Sequence, residues 1–155
     1  MRGENGLAIH KTWGSFCFLA TLFFSEEICA VTEPGQGEDC LSCGRCKQAC
    51  PTYLCSRGEC LSAVSQKKRI TKEEAALLKK HGILWGCDLC QEVCPMNRNV
   101  PETPIPFFRS ALVPSPDGQT LFEMVESGEF QKRAYAWRGE RVILRNLAIS
   151  EEKEG

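Results

Sequence analysis

Apolar positions recur with helical spacing in only a few parts of this chain. The clearest is "ITKEEAALLKKHG", residues 70–82, where Ala75, Leu77 and Leu78 supply an apolar side. Thr71 with Glu74 three residues on has the form of a capping box, and Gly82 can end the helix. Thr120 and Glu123 repeat that pattern and predict a helix running to about Val125. "EFQKRAYAWRGERVILRNLAIS" predicts two short helices broken near Gly139, and the last residues, "EEKEG", should fray. A different pattern fills residues 13–24, "WGSFCFLATLFF", which is apolar without helical period and rich in aromatics. Bounded by Gly14 and Ser25, it predicts a buried strand or half of a hairpin. Residues 1–30 as a whole read as a loop with one or two strands. "TEPGQGED", residues 32–39, is a turn-rich boundary. Residues 97–118 hold five prolines and predict an extended, packed connection rather than a regular element.

Composition changes this picture through one residue type. The chain has 155 residues, a net charge of −1 and 11 cysteines. That length suits one domain, and that charge by itself points to no polyanionic partner. An odd number of cysteines cannot all pair as disulfides. The apolar run at 13–24 is shorter than the roughly 20 residues that span a bilayer. Glu4 in front of it and Glu26 and Glu27 behind it argue against an export leader. Cysteines in ligand spacing make a reducing cytoplasm the expected compartment, with no membrane association.

The cysteines fall into two runs. "CLSCGRCKQACP" places Cys40, Cys43, Cys46, Cys50 and Pro51 on the C-x2-C-x2-C-x3-C-P template of bacterial two-cluster ferredoxins. "LWGCDLCQEVCP" supplies Cys87, Cys90, Cys94 and Pro95, but Leu84 stands where its first thiol belongs. Two-residue spacers let a loop turn three sulfurs onto one corner of a cubane, and the fourth cysteine, a helical turn on, faces the other cluster. Structural zinc is the alternative, but it typically takes two separated pairs and needs no third close thiol. Four cysteines remain for the missing corner. Cys17 reads as a small core residue and Cys29 lies before a turn. Cys55 sits inside "TYLCSRGE", and Cys60, ahead of "LSAVSQKK", can approach from the opposite side. Geometry favours Cys60 over Cys55 and leaves both open.

"CPT…ECLSAVSQKK…GCDLCQEVCPMN" resembles the double-cluster domain of the epoxyqueuosine reductase family, corrinoid-dependent iron–sulfur reductases of queuosine-tRNA synthesis. "GENGLAIHKTWGSFCFL" resembles a segment at the end of that family's catalytic domain, and "AYAWRGERVILRNLAI" resembles its closing helices. The resemblance implies one cluster on Cys40, Cys43, Cys46 and Cys94, and a second on Cys50, Cys60, Cys87 and Cys90. Cys17, Cys29 and Cys55 are then free. It also implies departures. Glu4 stands where the family often has Lys, and Met96 where it often has Trp. The long catalytic domain with most of the cobalamin pocket is largely missing, so the chain reads as a truncated, split or fragmentary member.

The expected fold is α+β: a bacterial two-cluster ferredoxin-like domain with a short N-terminal strand remnant and C-terminal α-helices. Residues 1–37 would be the edge of the catalytic domain, 38–98 the double-cluster domain, and 99–155 the Pro-rich connection and final helices. The function implied is electron transfer through two [4Fe-4S] clusters to cobalamin, for reduction of epoxyqueuosine in tRNA. Cobalamin enters only if a catalytic domain is supplied, and this chain alone would not be catalytic. A low-potential donor and a separate catalytic domain are the expected partners, with tRNA a candidate. The alternatives are a stand-alone dicluster carrier for another oxidoreductase and a zinc-stabilised binding module.

Other residues carry weaker signals. "KKR", residues 67–69, and Arg138, Arg141 and Arg145 could touch phosphates, although solvated or salt-bridged faces are the commoner outcome. His10 and His81 are candidate ligands by type only, more in keeping with surface or cap positions. Trp85 and Trp137 are expected to pack near clusters or helices. Gly44 and Gly86 are either ordinary turn glycines or positions where backbone approaches a cluster.

Overall fold

The computed structural model describes residues 2–27, 40–52, 60–113 and 116–152. Its α-helices are α1 (Arg45–Ala49), α2 (Leu61–Ser65), α3 (Lys72–His81), α4 (Leu89–Glu92), α5 (Gly118–Glu126) and α6 (Glu140–Glu151), with short 3-10 turns between them. The chain divides into two compact units, Met1–Cys50 with Leu89–Glu102 and Pro51–Asp88 with Thr103–Gly155.

In the first unit the short helices α1 and α4 pack on each other. The N-terminal segment is held by two isolated antiparallel bridges, Arg2 to Ala8 and His10 to Gly14. Ile9 and Ser15 are buried there. The expected strand over residues 13–24 is not formed, and no strand occurs among the described residues. Beyond Ser15 the run is mostly exposed: Phe18 is 91% and Phe23 93% exposed. The fold is therefore helical where α+β was expected, because apolar content cannot make a strand without a partner edge to supply the ladder hydrogen bonds.

The second unit holds two apolar cores. Leu61, Val64 and Leu78 form one, where α2 meets α3. Leu121, Met124, Phe130, Ala136, Ile143 and Leu147 form the other, where α5 and α6 close on the turns between them. Helix α3 follows its sequence signals. Thr71 Oγ1 accepts from Glu74 N–H, the Glu74 side chain accepts from Thr71 N–H, and Gly82 ends the helix at φ 62. Helix α5 departs from them. Asp117, not Thr120, is its N-cap, accepting from Thr120 N–H at 2.7 Å. Glu123 instead bonds Gln119 Nε2 at 2.8 Å. Near the C-terminus the predicted break falls at Gly139, between a 3-10 turn at Ala136–Arg138 and the 12-residue α6. The proline-rich stretch is irregular apart from a 3-10 turn at Pro106–Arg109. The boundary predicted at 32–39 and the frayed end lie outside the described residues, the latter from Lys153 onward.

Candidate iron–sulfur site

Within the first unit, Cys40, Cys43, Cys46 and Cys94 line one hollow of about 340 Å³, counting its open mouth. Cys40 and Cys43 come from the loop that leads into α1, and Cys46 from the first turn of that helix. That loop alternates cysteines with left-handed backbone, Ser42 at φ 48 and Gly44 at φ 70. Each reversal lets the next thiol return to the same side of the chain. For Gly44 a side chain would find open space, so its requirement is conformational. Ser42 carries the same geometry with a Cβ, at a cost of about 1–3 kcal/mol. Cys94 comes from the second run, at the N-cap of the 3-10 turn Pro95–Asn97. Ile9 and Met96 also line the hollow.

The donor set fits an iron–sulfur cluster. Four cysteines line one hollow, and among the described residues no three Cys, His, Asp or Glu side chains converge closely enough to hold a single ion. Soft thiolate donors select iron–sulfur clusters, zinc or Cu(I), and a hollow edged by thiols suits the largest of these. Burial pushes the Cys46 thiol up, opposed by the backbone N–H of Lys47. The neutral thiol is thus favoured there over a bare thiolate.

Sequence reasoning missed a charge pair at this hollow. Lys47 Nζ donates to Glu4 Oε1 at 2.6 Å. That bond, with help from Gly44 N–H, holds the Glu4 carboxyl below the usual carboxylate range. Also missed was a buried polar knot behind Cys94. Asn97, 8% exposed, accepts from Ser15 N–H at 2.8 Å and donates to Ser15 Oγ at 2.8 Å and Gln91 O at 2.8 Å. Gly14 is packed so closely that a Cβ would strike Asn97 Oδ1 and Met96 O. Neither feature has a signal in spacing or composition.

The remaining predicted ligands are placed as follows. Cys50 is the C-cap of α1 and Cys90 lies in α4, both in the first unit. Cys60 is the N-cap of α2, and Cys87 packs against Leu61, Val64 and Leu78, both in the second unit. Gly86, just before Cys87, has φ 68 and no neighbour where a Cβ would point. Cys17 is half-buried rather than a core residue. Cys29 and Cys55 lie outside the described residues.

The other candidates take structural places. His10 Nδ1 accepts from Thr12 N–H at 3.1 Å and Trp13 N–H at 3.3 Å in an exposed turn. His81 is the last residue of α3. Trp85 meets Trp137 edge-on with centroids 6.4 Å apart, and packs against the core of α5 and α6. Arg145 is turned inward. Its Nη1 donates to Lys67 O at 2.8 Å and Lys68 O at 3.1 Å, which takes it out of the exposed basic row. Lys67 pairs with Glu74.

Residues 39–97 match the family model of a 4Fe-4S double cluster binding domain. The epoxyqueuosine reductase of Lactococcus garvieae is 33% identical over 96% of this chain and 44% of its own length. This chain is homologous to the epoxyqueuosine reductases. That of Listeria monocytogenes is 31% identical over 96% of this chain and 41% of the relative. The solved structure of epoxyqueuosine reductase from Streptococcus thermophilus superposes with a TM-score of 0.66 at 32% identity, over 97% of this chain and 41% of that one. The chain thus spans less than half the length of these epoxyqueuosine reductases. Among the described residues no helix is long and apolar enough to cross a membrane.

Proposed function

We propose that this chain is the iron–sulfur electron-transfer portion of an epoxyqueuosine-reductase-type protein. The observation that carries the reading is the hollow lined by Cys40, Cys43, Cys46 and Cys94, inside a segment that matches a double-cluster domain. These four thiolates would hold one [4Fe-4S] cluster. Cys50, Cys60, Cys87 and Cys90 would hold the other, an assignment resting on spacing and on likeness to the family. Such clusters, when bound, supply one-electron transfer at low potential. The chain's own residues orient the sulfurs, exclude water with Ile9 and Met96, and set a fixed charge beside the site through Glu4 and Lys47. Cobalamin chemistry and tRNA recognition belong to the assembled protein, and this chain would not be catalytic alone.

Anaerobic reconstitution followed by iron and sulfide analysis tests the reading. Two cubanes require about eight irons per chain, and fewer than about four sinks it in favour of a zinc module. Cys60→Ala should abolish one cluster while Cys55→Ala spares both, and the reverse result overturns the Cys60 assignment. A corrinoid retained by this chain, or by its complex with a separately supplied catalytic portion, supports the reductase reading. Failure of both leaves the stand-alone dicluster carrier.

A further inference from the structure

Asn146 is an expensive residue for its position. It is 1% exposed on the apolar side of α6, beside Ile143 and Leu147. A leucine there would fill similar space without burying an amide, so the polar group needs a reason. All of its hydrogen-bonding groups are engaged. Nδ2 donates to Ser65 O at 2.7 Å and to Leu84 O at 2.7 Å, while Oδ1 accepts from Arg145 Nε at 3.1 Å and Nη2 at 2.8 Å. The two carbonyls belong to segments far apart in sequence, and one amide bridges them.

A second bond ties the same two segments. Ser65, fully buried, donates through Oγ to Ser62 O at 2.9 Å and accepts from Gly86 N–H at 3.1 Å. Ser65 is the last residue of α2, whose N-cap is Cys60, and Gly86 immediately precedes Cys87. Helix α2 has only five residues, too few to persist by its own hydrogen bonds. Its apolar contacts, Leu61 and Val64 against Leu78 with Cys87 alongside, are non-directional and permit small slips. The directional bonds from Ser65 and Asn146 do not.

We propose that Asn146 and Ser65 are positioning residues for the second cluster, fixing the register of the Cys60 helix against the segment that presents Cys87. The inference rests on the reading in which both cysteines are ligands of that cluster. Arg145 supports the arrangement by orienting the Asn146 amide and bonding the carbonyls that follow α2.

The test uses the full chain, reconstituted anaerobically, in wild-type, Ser65→Ala, Asn146→Ala, Cys60→Ala and Cys87→Ala forms. Iron content, circular dichroism, and EPR spectra with redox titration of the reduced protein are recorded. The Cys60→Ala and Cys87→Ala spectra identify the second cluster's signal as the one they remove. Ser65→Ala should keep wild-type helix content and the first cluster's signal, but shift the line shape and potential of the second. Asn146→Ala should lose second-cluster iron toward half of the wild-type total. A purely packing role would leave the second cluster's spectrum and potential untouched in every folded variant, and that result overturns the inference. If Asn146→Ala fails to fold, Ser65→Ala decides. If both cysteine variants retain both signals, the ligand reading itself fails and the inference falls with it. If they remove one signal and Ser65→Ala alters neither, only the positioning role fails.

Discussion

Asn97 and Ser15, far apart in sequence, hold each other reciprocally. Asn97 Oδ1 accepts from Ser15 N–H at 2.8 Å and Asn97 Nδ2 donates to Ser15 Oγ at 2.8 Å. The pair pins the N-terminal segment to the turn that follows Cys94. Asn97→Ala strands a buried backbone N–H and should cost about 1–3 kcal/mol. Gly14→Ala attacks the same contact from the other side, through a Cβ against Asn97 and a left-handed φ of 57. Both variants should lower the urea midpoint. Both should also release first-cluster iron faster to a chelator, while the second cluster's release is unchanged.

The Glu4–Lys47 pair beside the hollow makes a prediction with a sign. A negative charge near a cluster disfavours its reduction and a positive charge favours it. Glu4→Gln removes the negative member of the pair and should raise the first cluster's potential, while Lys47→Gln should lower it. The pair is solvent-exposed, so each shift should be on the order of 10 mV, screened further by salt. Redox titrations of both variants at low and high salt check the opposite signs.

Helix α3 carries a pH-dependent contribution. The Glu74 carboxyl is held below its ordinary value of 4.5, first by its bond from Lys67 and then by Thr71 N–H. A depressed folded pKa means the unfolded state binds the proton more readily. The stabilisation is therefore full above about pH 4.5 and is lost as pH falls through the lower folded value. Glu74→Gln keeps the cap geometry and removes the charge. Wild type should exceed this variant in urea midpoint at about pH 6, and the difference should close below about pH 4.5.

Helix α3 was legible because every signal that builds it is local: Thr71, Glu74 and Gly82 lie within one short stretch. Cys40, Cys43 and Cys46 meet at the hollow for a related reason, since their spacing lies within one short stretch, whereas Cys94 comes from the second run. The failures have a common cause in long-range partners. Residues 13–24 have the composition of a strand, but among the described residues their pairing stops at the single bridge from Gly14 to His10. Asp117 and Thr120 both look like caps, and only the direction of the chain entering α5 decides for Asp117. Asn146 sits in a helix where helical period implies nothing about its partners Ser65 and Leu84, which lie in other segments.

Arg145 separates two roles that helical period alone merges. Arg138, Arg141 and Arg145 share a helix face by spacing alone, yet Arg138 lies outside α6, in the 3-10 turn before Gly139, exposed with its guanidinium 3.9 Å over the Trp137 ring, while Arg141 is exposed and Arg145 reaches the carbonyls of Lys67 and Lys68. If the assembled protein binds tRNA through these exposed arginines, Arg138→Gln and Arg141→Gln should weaken binding with little loss of stability. Each should lower the slope of log affinity against log salt by about one unit per phosphate contact removed. Arg145→Gln should leave that slope unchanged and instead destabilise the chain by about 1–3 kcal/mol, because Asn146 Oδ1 and two carbonyls lose a charged donor. Filter binding of tRNA across a salt series, paired with urea melts of the same variants, distinguishes the outcomes. A reduced salt slope for Arg145→Gln with unchanged stability would return this arginine to the exposed row.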